Sequence, residues 1–377
     1  MGREKHYLPD RNTQSYTILE LIAVSGDFPA DLIYRLAGGS RYKEERVKLL
    51  KAKKLIRTYN RDKLRSYRLT VIAKKHLLLD RPDRFIYCLT GKTETNQLKS
   101  EKVRRLRLHR IAETLVTMHN AAVAIFCDEK PDVFSPVGAQ EKSTISRIHS
   151  PAFYHSREIK EFGTEFVKIR GARSVGTLLS EDTAFVVYNM GDALLKWGYK
   201  SEMRTKALIK TILLDRMPDQ YSPDSVHGLL LGNRMELAYQ LLTDKESIKT
   251  NYFILDGNYE HFHFITNDHH GELLLKLLCT PEKVDELNRM LSAGLYERDP
   301  GSVIENDAID EDNNPVLFAH SFDMPKIVRF RSAIQLHNRI GTMICFDFQS
   351  EVLRRYCGDS VKIQTIDFEK FERRFFQ

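Results

Sequence analysis

Three sets of side chains in this sequence have the types and spacing to do chemistry. The first is Pro131-Asp132 with Glu158-Ile159-Lys160. Two carboxylates and an amine brought together can hold Mg²⁺ or Mn²⁺ and activate water against a phosphodiester. The second is His261-Phe262-His263. On a strand, alternate residues share a side, so both imidazoles would face one way as paired metal ligands. The third is a basic series of Arg41, Lys43, Arg46, Lys51, Arg57, Arg61, Lys63, Arg65 and Arg68, with Tyr42 among them. Cations at this density suit a polyanion; those near a helix start can read base edges, and the others hold phosphates.

Charge distribution favours the third set. The net charge is +7, but residues 1–110 carry 27 Lys and Arg against 12 Asp and Glu, and the remainder 31 against 39. A basic end on a mildly acidic body is the footprint of a nucleic-acid reader joined to a second domain. A length of 377 residues with 42% hydrophobic content gives material for two or three domains. Five scattered cysteines, with no C-x-x-C, argue against a disulfide framework or zinc ribbon and fit a reducing cytosol. Met1–His6 lacks an apolar stretch, and no apolar run approaches the roughly 20 residues that cross a bilayer. The expected location is the cytoplasm, with no membrane partner.

The basic series falls on recognisable elements. After Gly38-Gly39, Ser40 suits an N-cap, Glu44 and Glu45 come early, and Val47 and Leu50 share an inward face, predicting a helix over Ser40–Lys54. Leu55–Tyr59 and Leu64–Thr70 are strand-like runs joined by the polar turn Asn60-Arg61-Asp62-Lys63. Helices are predicted before them at Tyr16–Val24 and Pro29–Ala37, and after them at Val71–Leu79, capped by Thr70. This is the order of a winged helix-turn-helix, whose third helix enters the major groove while the wing follows the backbone. Arg41, Tyr42, Lys43 and Arg46 are then expected at base edges, and Lys51, Arg57, Arg61, Lys63, Arg65 and Arg68 at phosphates.

The segment Leu55-Ile56-Arg57, Tyr67-Arg68-Leu69-Thr70 and Lys74 resembles the wing of MarR-like and PadR-like regulators. Through Tyr16–Leu79 and Leu106–Ile111, the layout also resembles the replication-relaxation family of plasmids and integrative elements. That resemblance implies an N-terminal winged helix, a linker helix and an α/β domain, with a role in plasmid or conjugative-element DNA processing.

The expected fold is therefore mixed α/β: a winged helix over residues 1–80, a linker and basic helix over 81–120, and a larger α/β domain over 121–377. The linker is expected to hold one strand, Phe85–Leu89, and a helix, Glu101–Asn120, whose Lys102, Arg104, Arg105, Arg107 and Arg110 either track phosphates or form a solvated face. Beyond it, strand-like runs (among them Ala121–Phe126, Phe153–Glu161, Tyr252–Leu255 and His261–Thr266) alternate with helical ones, with a meander near 150–190.

Pro-Asp with Glu-x-Lys has the form of the signature of a large metal-dependent nuclease superfamily, with Asp132 and Glu158 as ligands and Lys160 assisting. His261 and His263 resemble the metal pair of rolling-circle nickases and relaxases, with Tyr239 and Tyr356 on helical stretches. The plain competitors are a turn with a surface strand, and structural histidines. No Walker A, G-x-G-x-x-G, H-E-x-x-H or G-x-S-x-G motif occurs, and the acidic stretch 297–315 lacks calcium-loop spacing. The reading preferred is a DNA-binding protein without a cofactor, compatible with a homodimer and with other element-encoded DNA-processing partners. The alternative is an endonuclease or nickase using Mg or Mn.

Overall fold

Thr13 starts the first helix, α1 (Gln14–Ser25), by accepting a hydrogen bond from the Tyr16 backbone N–H, and Gly26, at φ 79°, ends it. A Cβ at Gly26 would sit 2.9 Å from the Thr95 backbone, so the turn needs both the left-handed φ and the missing side chain. Ile18, Leu19, Leu21 and Ile22 are fully buried. A helix apolar on all sides belongs at a core, and α1 is the core of the first of two compact units, residues 1–130 and 131–377. The computed structural model describes residues 8–134, 147–160, 172–243, 252–253, 255 and 257–377, except the side chain of Lys160. Met1–His6, Glu161 and Ile254, on which parts of the expectations above rest, lie outside the described residues.

In the first unit a short strand, β1 (Phe28–Pro29), and a 3-10 turn, Leu32–Arg35, occupy the stretch predicted as a helix over Pro29–Ala37. The pairing of Phe28 with Tyr67 diverts this segment into a sheet, a tertiary contact that overrides the local helical spacing. Helix α2 (Ser40–Ala52) follows, with Gly39 rather than Ser40 at its N-cap. Next comes the hairpin of β2 (Ile56–Arg61) and β3 (Leu64–Leu69), with sheet order β1-β3-β2. Its turn is only Asp62-Lys63, both at positive φ, as the tightest hairpin connections require. Thr70 caps α3 (Val71–Asp80) through the Ala73 N–H, as expected.

The supposed linker is part of this unit. Phe85–Leu89 is not a strand but lies in helix α4 (Pro82–Leu89), which Pro82 opens and whose Phe85, Cys88 and Leu89 face the core at helical spacing. Helix α5 (Lys102–Asn120) packs on α1. Ala121–Phe126 is not a strand either; Ala122 has φ 61°, and the chain passes into a 3-10 turn at Cys127–Glu129. The domain break therefore falls at residue 130, not at 80 or 120.

Among the described residues, the second unit contains two five-stranded sheets. The first sheet takes β4 (Ala152–His155), β5 (Gly176–Leu179), β6 (Ala184–Gly191), β7 (Val226–Gly232) and β8 (Phe262–Thr266) in that order. The second takes β9 (Tyr296–Glu297), β10 (Ala308–Ile309), β11 (Pro315–Phe318), β12 (Gly341–Phe346) and β13 (Val361–Ile366). In both, the first three strands are antiparallel and the last three parallel. Parallel steps need crossovers, and helices supply them. These are α7 (Tyr199–Arg216) and α8 (Met235–Thr243) in the first sheet, α11 (Met324–Leu336) and α12 (Asp347–Cys357) in the second. Helix α6 (Ser156–Lys160) follows β4; α9 (His269–Leu278) and α10 (Pro281–Leu291) lie between the sheets in sequence, and α13 (Phe368–Phe375) closes the chain. The fold is mixed α/β, and the meander expected near 150–190 is β4-β5-β6. No described helix is long and apolar enough to cross a membrane.

Candidate nucleic-acid interface

Helix α2 presents its start and one side to solvent because Val47 and Leu50 hold the other side inward. Arg41 is 94% exposed and pairs loosely with Glu45, 3.4 Å away. Tyr42 is 44% exposed, with the Arg46 guanidinium 4.7 Å from its ring centroid. On the hairpin, Arg57, Arg61, Lys63 and Arg65 are exposed, and only Asp62, 3.7 Å from Arg61, offsets charge at the tip. Half-buried Lys51 lies 5.0 Å from the Tyr67 ring centroid, and burial, then the Arg65 charge, hold its pKa below the ordinary value.

Two residues expected at DNA are not on the surface. Lys43 is 4% exposed, and its Nζ donates to the Tyr34 carbonyl at 2.8 Å. It lies four before Val47 and seven before Leu50, on the inward stripe, and that spacing was the signal to read. Arg68 is 3% exposed, with its Nε donating to Asp27 Oδ1 at 2.8 Å.

Asp27, which follows the Gly26 turn, is the centre of the hairpin's anchor. Its carboxylate accepts from Arg68, from the Ser66 hydroxyl and from Arg105 Nε, the last at 2.7 Å. His109 Nε2 stands 3.4 Å away without hydrogen-bond geometry. Burial would raise the Asp27 pKa, but polar contacts from His109, Arg68, Ser66 and Arg105 outweigh it and hold the group far below its ordinary 3.8. Fully buried Arg105 also donates to the Arg61 and Leu64 carbonyls, at 2.7 and 3.0 Å, on either side of the hairpin turn. Both guanidiniums lie over the Tyr59 ring, Arg68 at 3.6 Å and Arg105 at 4.7 Å. Arg105 is thus no phosphate contact. With Leu108, His109 and Ala112 it forms the inward stripe of α5, while Lys102, Arg104 and Arg107 stay exposed. A hairpin tied down on one side and cationic at its tip can meet a polyanion without first becoming ordered.

No family model matches the chain, and neither a curated protein nor a solved structure does.

The nuclease residues have other surroundings. Asp132 is exposed and near Arg216. Glu158 is on helix α6 rather than a strand, since β4 ends at His155, and its Oε1 accepts the His155 N–H at 2.9 Å. The Lys160 side chain is outside the described residues. His261 and His263 do share a side: their rings are 14° from parallel with centroids 6.5 Å apart. His227, which the sequence did not single out, adds a third ring 4.6 Å from His261. His261 Nδ1 meets Asp323 Oδ2 at 2.7 Å, which raises its pKa, whereas burial first of all lowers those of His227, to about 3, and His263. Among the described residues, no three His, Cys, Asp or Glu side chains are placed to hold a metal ion. Tyr239 lies under Arg355, and Tyr356 is buried under Arg331.

Proposed function

We propose that the first unit is a winged-helix module that binds duplex DNA, with α2 in the major groove and the β2-β3 hairpin along the backbone. The observation that carries this reading is the exposed cationic set on α2 and on a hairpin tip held in place through the Asp27 anchor. Arg41, Tyr42 and Arg46 are assigned to base edges; Lys51, Arg57, Arg61, Lys63 and Arg65 are assigned to phosphates. Lys43 and Arg68 leave both sets because they are buried. Following the layout's resemblance, the protein acts in the cytoplasm in replication, mobilisation or regulation of a plasmid or integrative element. The test is a gel shift of the full chain with random-sequence duplex at low salt. Retarded duplex that is released as salt rises is the expected result; free duplex at micromolar protein refutes the reading.

A further inference from the structure

The register of the β2-β3 hairpin sorts its cations onto two faces. Residues directly opposite in an antiparallel pair share a face, and the face alternates along each strand. Arg57 stands opposite Arg68, Tyr59 opposite Ser66 and Arg61 opposite Leu64, so these six lie on one face. Thr58 with Tyr67 and Asn60 with Arg65 lie on the other. Helix α2 lies against this second face, with Lys51 over the Tyr67 ring. The first turn of α5 lies against the first. There the Arg105 guanidinium stands 4.7 Å from the Tyr59 ring centroid and reaches the carbonyls of Arg61 and Leu64. The hairpin therefore stands between α2 and the start of α5.

Two lysines come with that start. The Lys99 carbonyl accepts from Arg68 Nη2 at 3.4 Å, which sets Lys99 beside the pair of Arg57 and Arg68. Lys102 begins α5 three residues before Arg105, so the two are neighbours on the helix surface. Both lysines are exposed, as are Arg57 and Arg61. The acids around them are engaged elsewhere or weakly placed. Asp27 is buried among Arg68, Ser66 and Arg105; Glu101 pairs with Arg104 at 3.0 Å and Glu94 with Arg107 at 3.8 Å; Asp62 stands 3.7 Å from Arg61. Among the described residues, Arg57, Lys99 and Lys102 form no ion pair. Like charges gathered by the fold and left without counter-ions suit a polyanion, which offsets all of them at once.

Resting on the duplex-binding reading above, we propose that the DNA contact continues past the hairpin onto the start of α5. Lys99 and Lys102 take phosphates on the side of the hairpin away from α2, alongside Arg57 and Arg61. The duplex meets α2, the hairpin and the α5 start in that order. This added contact reads no bases, because lysines on phosphates set register and affinity rather than sequence.

The test is a gel-shift series on the full chain with random-sequence duplex, repeated across salt concentrations. Lys99→Ala with Lys102→Ala is expected to reduce the slope of log K against log salt by up to about 1.8, at about 0.9 per phosphate contact, and to weaken binding roughly tenfold at low salt. Both side chains are exposed, so the melting temperature is expected to match wild type. Lys75→Ala with Lys362→Ala removes the same charge from exposed positions on α3 and β13 and is expected to leave the slope unchanged. A wild-type slope in the Lys99 and Lys102 variant overturns the extension. So does an equal fall in the control, because overall charge alone would then account for it. Duplex left free by wild type refutes the reading on which the extension rests; duplex bound by wild type, with an unchanged slope in the variant, sinks the extension alone.

Discussion

Replacing Asp27 by Asn keeps the shape of the anchor and removes its charge. Arg68 and Arg105, both almost fully buried, would then share no counter-ion. Breaking a buried pair from one side costs about 3–5 kcal/mol. The Asn oxygen can still accept one hydrogen bond, so the lower end, about 3 kcal/mol, is the expected loss. With a urea slope of about 2 kcal/mol/M, the midpoint for the first unit would drop by about 1.5 M. Adding Arg68→Met should restore part of the loss, because it removes a charge that has become unpaired. The pH dependence has a definite sign. The folded pKa of Asp27 is depressed, so its contribution is complete above the ordinary 3.8, declines as pH drops below that value, and is gone once pH passes the folded value far below it. Wild type should therefore keep most of this contribution at pH 4. A loss under about 1 kcal/mol, well short of a buried-pair cost, would refute the anchor.

Arg61→Ala with Lys63→Ala should weaken binding on every duplex and reduce the slope of log K against log salt by up to about 1.8, at about 0.9 per phosphate contact; an unchanged slope would remove the hairpin tip from the interface. Lys43→Met should lower stability by about 1.5–3 kcal/mol through loss of the charged bond to Tyr34, while DNA affinity measured well below the melting temperature stays at wild type. The His261 ring should titrate above its ordinary 6.5 by NMR, and Asp323→Asn should bring it down. The stability from that pair is full below pH 6.5 and is lost as pH rises through the raised value, so a ring titrating at or below 6.5 would contradict the Asp323 contact.

Much of the first unit was legible because strong local signals agreed with the fold. Gly38-Gly39 before a basic amphipathic stretch, and a polar turn between two β-rich runs, both became what they resembled. Failures came where contacts distant in sequence decide. Phe28 pairs with Tyr67, so the second helix shrank to a single turn; Phe85–Leu89 looks like a strand until Pro82 is counted as its helix start. The exposed part of the candidate interface could be read from residue type alone. Lys43, Arg68 and Arg105 could not, because charge suggests solvent while each sits where its element faces inward. Asp27 gave no local sign at all, since its partners lie 39 to 82 positions away. In the second unit, periodicity found strands but not their assembly: Glu158 fell on a helix rather than on the expected strand, while His261 and His263 do share a side, beside His227.

Helix α5 is tied at one end to the hairpin and at the other to the turn that precedes α2. Arg105 in its first turn grips the carbonyls beside the hairpin tip; in its last turn, Thr117 accepts from Arg35 and Asn120 donates to the Arg35 carbonyl, just ahead of α2. At 19 residues it is a rod of about 28 Å with a grip at each end. Its length and helical phase therefore act as a gauge for the spacing between hairpin and α2. One residue inserted midway would swing one grip about 100° around the rod relative to the other, leaving the two contact elements individually intact but out of step.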